Sequence, residues 1–236
     1  MLEKSISAGP SRNLDRAWMG RFAASSVPRR FAAGDYVWRG GEQAHSVVLV
    51  EQGMVAIQRV TAEGEGLLVA LFGPGDTLCI VPALQHIPMP ADAIAVTERV
   101  DVLLVPVAPV LSAAEHSPEV AAALNRALLQ HTSSLRSKID IVSAGTVPRR
   151  VAALLLHLAE RFGCNHADGS IHIGPALTRE QIGQLVNART ETVIRIMSRW
   201  SKAGWIQGDS ASLKLMNIDM LKRMAYGPAS AKATVS

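Results

Sequence analysis

Cysteine is almost missing from this chain of 236 residues, with Cys79 and Cys164 standing far apart. Two such residues make neither a disulfide framework nor a CxxC metal knuckle, and without a cysteine cluster an iron–sulfur centre is excluded. Both are expected as free thiols. Long apolar runs are missing too. Asp, Glu, Arg, Gly or Pro interrupts every candidate segment before the roughly 20 residues that cross a bilayer as a helix, so no membrane partner is expected. The start, Met1-Leu2-Glu3-Lys4-Ser5-Ile6, carries an acid and leads into no continuous apolar region. A secretory leader is therefore not expected, and the chain is placed in the cytoplasm. Nor does the sequence contain HExxH, GxSxG, or a Gly-Lys-Ser/Thr after Gly73-Pro74-Gly75, which removes the common zinc-protease, hydrolase and phosphate-loop signatures.

What remains is a folded composition, 48% hydrophobic and 19% charged, with length for one large domain or two ordinary ones. The net charge of +4 is unevenly spread: residues 1–146 hold 12 basic and 14 acidic side chains, residues 147–223 hold 11 and 6. A basic C-terminal third points any polyanion toward that end.

From about Phe31 to Val107 the chain is short apolar runs, such as Val47 to Val50 and Leu67 to Phe72, split by Gly40-Gly41, Gly53, Gly64-Glu65-Gly66 and Gly73-Pro74-Gly75-Asp76. Runs of this length at this spacing predict an all-β antiparallel barrel or sandwich. Ser117-Pro118-Glu119 then opens a helix, with Ser as N-cap and Pro at the first helical position. Leu124, Leu128, His131, Leu135, Ile139 and Val142 follow at separations of three and four, a seam near a coiled-coil repeat. It packs either on a second copy or on its own β domain. Ser143-Ala144-Gly145-Thr146 reads as a hinge, and a second helix is expected from about Val147 to Phe162, stopped by Gly163.

Thr178-Arg179-Glu180-Gln181 is a capping box. Ile182, Leu185 and Val186 give the helix behind it an apolar face, Gly183 leaves room for a neighbour, and Asn187 falls where a tight turn needs a left-handed residue. A following helix from about Thr190 to Ala203 would bury Val193, Ile196, Met197 and Trp200, and turn Glu191, Arg195, Arg199 and Lys202 outward. Leu213 and Leu215 alternate as in a short hairpin. Helix, turn, helix and hairpin make a winged helix-turn-helix, whose second helix enters a major groove.

Phe31-Ala32-Ala33-Gly34-Asp35-Tyr36-Val37, Gly41-Glu42, Gly53-Met54-Val55 and Gly73-Pro74-Gly75-Asp76, with Leu177 to Ile182 and on through Arg195, carry a resemblance. From about Phe31 to Ala225 the chain resembles the cyclic-AMP receptor/FNR family of bacterial transcription regulators. The resemblance implies an α+β chain: an effector-sensing antiparallel β jelly roll over 1–116, a dimerisation helix over 117–142 and a winged helix-turn-helix over 143–226. It implies a homodimer on a palindromic promoter site in double-stranded DNA, controlled by a small effector and acting on RNA polymerase. The DNA-facing set would be Thr178, Arg179, Arg189, Thr190, Glu191, Ile194, Arg195, Arg199 and Lys202. Arg195 would donate to a guanine edge, Glu191 accept from a cytosine amino group, and Ile194 touch a thymine methyl. The effector pocket would involve Leu78, Cys79, Ile80, Val81, Met89, Leu128, His131 and Leu135.

Two departures bear on the effector. Cyclic-nucleotide-binding members carry a Gly-Glu pair and then an Arg for the cyclic phosphate, whereas this chain reads Leu78-Cys79-Ile80-Val81-Pro82 and Ile87-Pro88-Met89-Pro90-Ala91-Asp92-Ala93. A buried phosphate without its counter-charge is strongly disfavoured, so cyclic AMP is not expected. Cys79 is placed like the residue that gives a thiolate to ferric haem in the family's carbon-monoxide sensor; the sensor's His is replaced by Val81, and His86 is the nearest substitute. Cys79 is therefore a core residue, a haem ligand or a redox sensor. Cys164, His157, His166 and His172 match no zinc spacing. The other class of function is a cupin-like small β-barrel enzyme with an appended helical domain, which would need a His/Glu metal set where only His45 and His86 stand.

Overall fold

Strand β3 (Ser46–Gln52) buries Val47, Val48, Leu49 and Val50 in succession, so the sheet that contains it is covered on both faces. In this computed structural model, which describes residues 20–60, 66–174, 177–208 and 212–227, that sheet is antiparallel. Its order is β1 (Val27–Ala32), β8 (Arg99–Pro106), β3 and β6 (Thr77–Leu78). Phe31 pairs with Val100, and Val48 with Leu104. A second sheet orders β2 (Tyr36–Trp38), β7 (Asp92–Ala95), β4 (Val55–Val60) and β5 (Gly66–Phe72). The two four-stranded sheets do not close on each other, so the jelly roll is an open sandwich rather than a barrel. Gly53, at the β3–β4 corner, has φ +76°, and a Cβ there would stand 2.1 Å from the Arg99 carbonyl oxygen. No other residue fits that corner.

Chain packing divides the molecule into two compact units, residues 1–59 with 69–135 and residues 60–68 with 136–236. In the first unit the expectation of an all-β region fails at Ile80–Gln85, which is a helix, α1. A short apolar run bounded by turns cannot be told from a strand by periodicity, and Pro82 lies in the first turn, where no amide donor is needed. A second unexpected helix, α2 (Val107–His116), follows β8 directly.

Helix α3 (Pro118–Ser143) starts where the sequence places it, with Ser117 Oγ 3.5 Å from the Val120 amide. Its seam divides. Val120, Ala123, Leu124 and Ala127 are buried in the core of the β sandwich, and Leu128 packs against that core. Leu135 and Ile139 are 43% and 62% exposed, and beside the seam Leu129 is 70% exposed. The first half of the stripe is thus covered by its own sheets, and only the second half is left apolar and open.

In the second unit α4 (Val147–Phe162) buries Val151, Leu154, Leu155 and Leu158, and Gly163 turns straight into β9 (Gly163–Asn165). The sheet order is β11 (Ile206–Gly208), β12 (Leu213–Leu215), β10 (Ile171–Ile173) and β9. The tip between β11 and β12, like Gly64-Glu65, lies outside the described residues. A final helix, α7 (Ile218–Tyr226), is capped by Asn217, whose Oδ1 accepts from the Met220 amide at 3.0 Å. It was not foreseen in the sequence. Among the described residues no helix is long and apolar enough to cross a membrane.

Between β10 and β11 lie α5 (Arg179–Val186) and α6 (Thr190–Lys202). Gly183 is buried on α5 facing the turn, and a Cβ there would meet the Ala188 carbonyl oxygen at 2.8 Å. The obstacle is backbone and cannot step aside. Gly183→Ala is therefore expected to lower the melting temperature, although alanine is the better helix former by about 1 kcal/mol; a thermal melt of the two proteins checks the sign.

Candidate nucleic-acid interface and effector cavity

The start of α5 is fixed by two reciprocal bonds. Thr178 Oγ1 accepts from the Gln181 amide at 3.1 Å, and Gln181 Oε1 accepts from the Thr178 amide at 2.9 Å, which satisfies two of the donors a helix start leaves open. Ile182, Leu185 and Val186 are buried. Asn187 ends the helix at φ 50°, the left-handed conformation expected of it, and the chain reverses into α6 within three residues.

Helix α6 buries Val193, Ile196, Met197 and Trp200, the four residues that the sequence assigns to its inner face. Glu191, Ile194, Arg195, Arg199 and Lys202 are exposed, as are Thr178 and Arg189, whereas Arg179 and Thr190 are half-buried. Among the described residues neither Glu191 nor Arg195 forms an ion pair. Ile194 is 50% exposed between them, an apolar group standing on an otherwise charged ridge. On the wing, Lys214 of β12 is paired with Asp168 at 2.9 Å. The Ser170 hydroxyl, then that ammonium, hold the Asp168 carboxyl far below the usual carboxylate range. Two functional candidates escaped the sequence reading altogether: Lys138 and Arg150, whose side chains end on the carbonyls that close α5. The only sequence signal for them is that the last turn of α5 holds no basic residue of its own.

The β sandwich contains a cavity of about 330 Å³. Leu78, Cys79, Val81, Met89, His131 and Leu135 line it, together with Trp38, Phe72 and Arg59. Ile80 is buried beside it without lining it, and Leu128 belongs to the core instead. His131 stacks on Phe72, ring centres 5.9 Å apart, and burial lowers its pKa, which favours the neutral ring. Trp38 spends its indole donor on the Ala91 carbonyl at 3.0 Å. Arg59 is exposed and is, among the described residues, the only cation on the wall. Asp92 is turned elsewhere, accepting from the Gly40 amide at 2.7 Å.

Cys79 precedes α1 at φ 66° and His86 follows it at φ 53°, a left-handed residue at each end of a six-residue helix. Burial pushes the Cys79 thiol well above its ordinary range, against the thiolate that a ferric haem takes. His86 is exposed and does not line the cavity. These residues do not fit the thiolate-and-histidine haem pair that the family's sensor suggests. Elsewhere, His166 and His172 meet edge to face at 5.9 Å, and burial lowers His157 to about 4. Among the described residues no three metal-binding side chains converge.

Residues 149–224 match the model of a Crp-like helix-turn-helix domain, and residues 28–117 that of a cyclic nucleotide-binding domain. The chain is 29% identical to a CRP-like cAMP-activated global transcriptional regulator of Mycobacterium tuberculosis, over 92% of its own length and 96% of that protein. It is 24% identical to the nitrogen fixation regulation protein FixK of Azorhizobium caulinodans, over 82% and 77%. Among solved structures, FixK2 of Bradyrhizobium japonicum superposes with a TM-score of 0.74 at 21% identity, over 86% of this chain and 99% of that one. A CRP-family transcriptional regulator of Thermus thermophilus gives 0.68 at 22%, over 84% and 96%. Nothing in these comparisons supports the cupin-like enzyme. A cyclic-nucleotide-binding-like jelly roll and a Crp-like helix-turn-helix, joined in that order on one chain, make this protein a transcription regulator of the Crp/Fnr family that binds DNA through its helix-turn-helix.

Proposed function

We propose that the protein is a cytoplasmic, homodimeric, effector-controlled regulator that reads a palindromic promoter site with α6 and acts on RNA polymerase there. The observation that carries this reading is the outer face of α6: Glu191, Ile194 and Arg195 stand exposed, side by side, on a helix whose inner face is buried. Arg195 donates to guanine, Glu191 accepts from cytosine and Ile194 packs on a thymine methyl. Thr178, Arg179, Arg189, Thr190, Arg199 and Lys202 hold the flanking phosphates and set the register. Selection from a random DNA pool is expected to return a palindrome, and Arg195→Ala to cost roughly 1–3 kcal/mol on it and relax one base position. No palindrome, or unchanged base preference in the variant, contradicts the assignment.

The dimer is held by the second half of α3. Leu129, Leu135 and Ile139 are the large apolar side chains that this helix leaves in water, while Leu124 is already buried against the β sandwich. The substitutions that separate the copies are accordingly Leu129→Asp with Ile139→Asp. Light scattering is expected to show a dimer for the unmutated protein at micromolar concentration and a monomer, weak on DNA, for the double variant.

The domain division that goes with this is sensing over 1–116, dimerisation over 117–142 and DNA binding over 143–226. The effector occupies the cavity of the β sandwich, among Leu78, Cys79, Val81, Met89, His131 and Leu135, with Ile80 and Leu128 behind its wall. Its walls are apolar, its histidine is neutral and the Arg59 cation on them sits exposed, so it favours a largely apolar ligand over a phosphate ester. Calorimetry with cyclic AMP and cyclic GMP is expected to be flat, and micromolar binding of either overturns this choice of ligand.

A further inference from the structure

Helix α5 ends in more open backbone than its own sequence can serve. The Gly183 carbonyl takes the amides of Asn187 and Ala188, but the carbonyls of Gln184, Leu185, Val186 and Asn187 lie beyond the helical ladder. The last turn of α5 carries no basic residue. Two cations from other helices fill the gap. Lys138 of α3 donates to the Leu185 carbonyl, to that of Gln184 at 3.3 Å, and with its remaining proton to that of Leu68 at 2.8 Å. Arg150 of α4 donates through Nη1 to the carbonyls of Val186 at 2.7 Å and Asn187 at 3.1 Å. All four open carbonyls thus end on a borrowed positive charge.

We propose that Lys138 and Arg150 are positioning residues for DNA recognition: by gripping the carbonyl end of α5 they fix the turn at Asn187, and through it the angle at which α6 is presented. The proposal rests on the reading that α6 meets the DNA. Cations are favoured at the negative end of a helix, and hydrogen bonds from an ionised donor are shorter and stronger than neutral ones. Both side chains are half-buried, and the Lys138 ammonium and Arg150 Nη1 are turned to backbone carbonyls, so their role is set apart from that of an exposed phosphate contact.

Lys138 also gives the grip a measurable signature. Burial, and then the positive charge of Arg150 across from it, lower its pKa from 10.5 to about 8. Arg150 is the charged group that faces it from α4, while α5 and β5 turn carbonyls toward it. The charged grip is therefore present below about pH 8 and weakens above it. Folding stability runs the other way. Between about 8 and 10.5 the unfolded chain holds the proton that the folded chain has lost, so stability rises with pH. A merely structural lysine predicts no loss of DNA affinity in that window.

The test is anisotropy on the palindrome that the unmutated protein selects, with thermal melts alongside. Lys138→Met and Arg150→Met are each expected to bind about tenfold more weakly, the order of loss for a charged hydrogen bond. The slope of affinity against salt should stay as it was, where removal of a phosphate contact would reduce it by about 1. Lys138→Arg, still charged, is expected to restore affinity and to hold it across pH 8, where the unmutated protein weakens. A folded Lys138→Met protein that binds as tightly as the unmutated one overturns the proposal. Should that variant fail to fold, equal and flat pH profiles for the unmutated protein and Lys138→Arg overturn it. If Arg195→Ala also leaves DNA preference unchanged, the reading of α6 has failed rather than the grip.

Discussion

Backbone groups at a helix end must be satisfied, and we infer that this requirement sets the angle of α6, the second helix of the helix-turn-helix. The three residues between α5 and α6 leave little slack, so the direction of α6 follows from how α5 is held at its two ends. Its start is served locally, by Thr178 and Gln181, which exchange bonds within one turn. Its end is served from a distance, by Lys138 and Arg150. Apolar contact through Ile182, Leu185, Val186, Val193 and Trp200 supplies the bulk of the adhesion, but apolar contact is non-directional. The hydrogen bonds choose one angle among those that bury the same area.

The β sandwich works by a different physical rule. Its cavity is lined by side chains that bring little polarity of their own. His131 is neutralised by burial and stacked, Trp38 has already spent its donor, and Asp92 is engaged with Gly40. As the proposed effector site, a buried wall without charge would select against charged ligands. The left-handed residues at both ends of α1 mark the same place: Cys79 and His86 hold conformations that few side chains adopt readily, and such positions cluster at ligand clamps and switch regions. The net positive charge of the protein lies in residues 147–223, which favours attraction to a polyanion before any base is read.

Much of this was legible in the chain. The capping box at Thr178, the left-handed turn at Asn187 and the buried quartet Val193, Ile196, Met197 and Trp200 are local and periodic, and they stand in the structure as the sequence places them. Glycine and apolar runs announced the strands of the sandwich in the same way. The short helix at Ile80–Gln85 was not legible, because Ile80-Val81-Pro82-Ala83-Leu84 carries no period long enough to distinguish helix from strand. Sequence patterns do not announce helices α2 and α7, and the stripe on α3 does not show which of its residues meet the sheets. Leu124 and Ile139 belong to the same stripe, yet one is buried and the other 62% exposed.

The sequence by itself determined the order of the parts, the ends of the helix-turn-helix helices and the absence of a phosphate-binding arginine in the cassette after Gly75, because each depends on neighbours within a turn or two. Tertiary structure alone decided which leucines of α3 meet the sheets, which side chains enclose a cavity, and that Lys138 and Arg150 close a helix 36 or more residues further along the chain. Those outcomes arise from the packing of distant segments, and a donor's destination is set by which carbonyls folding leaves open beside it, a property that no local spacing records.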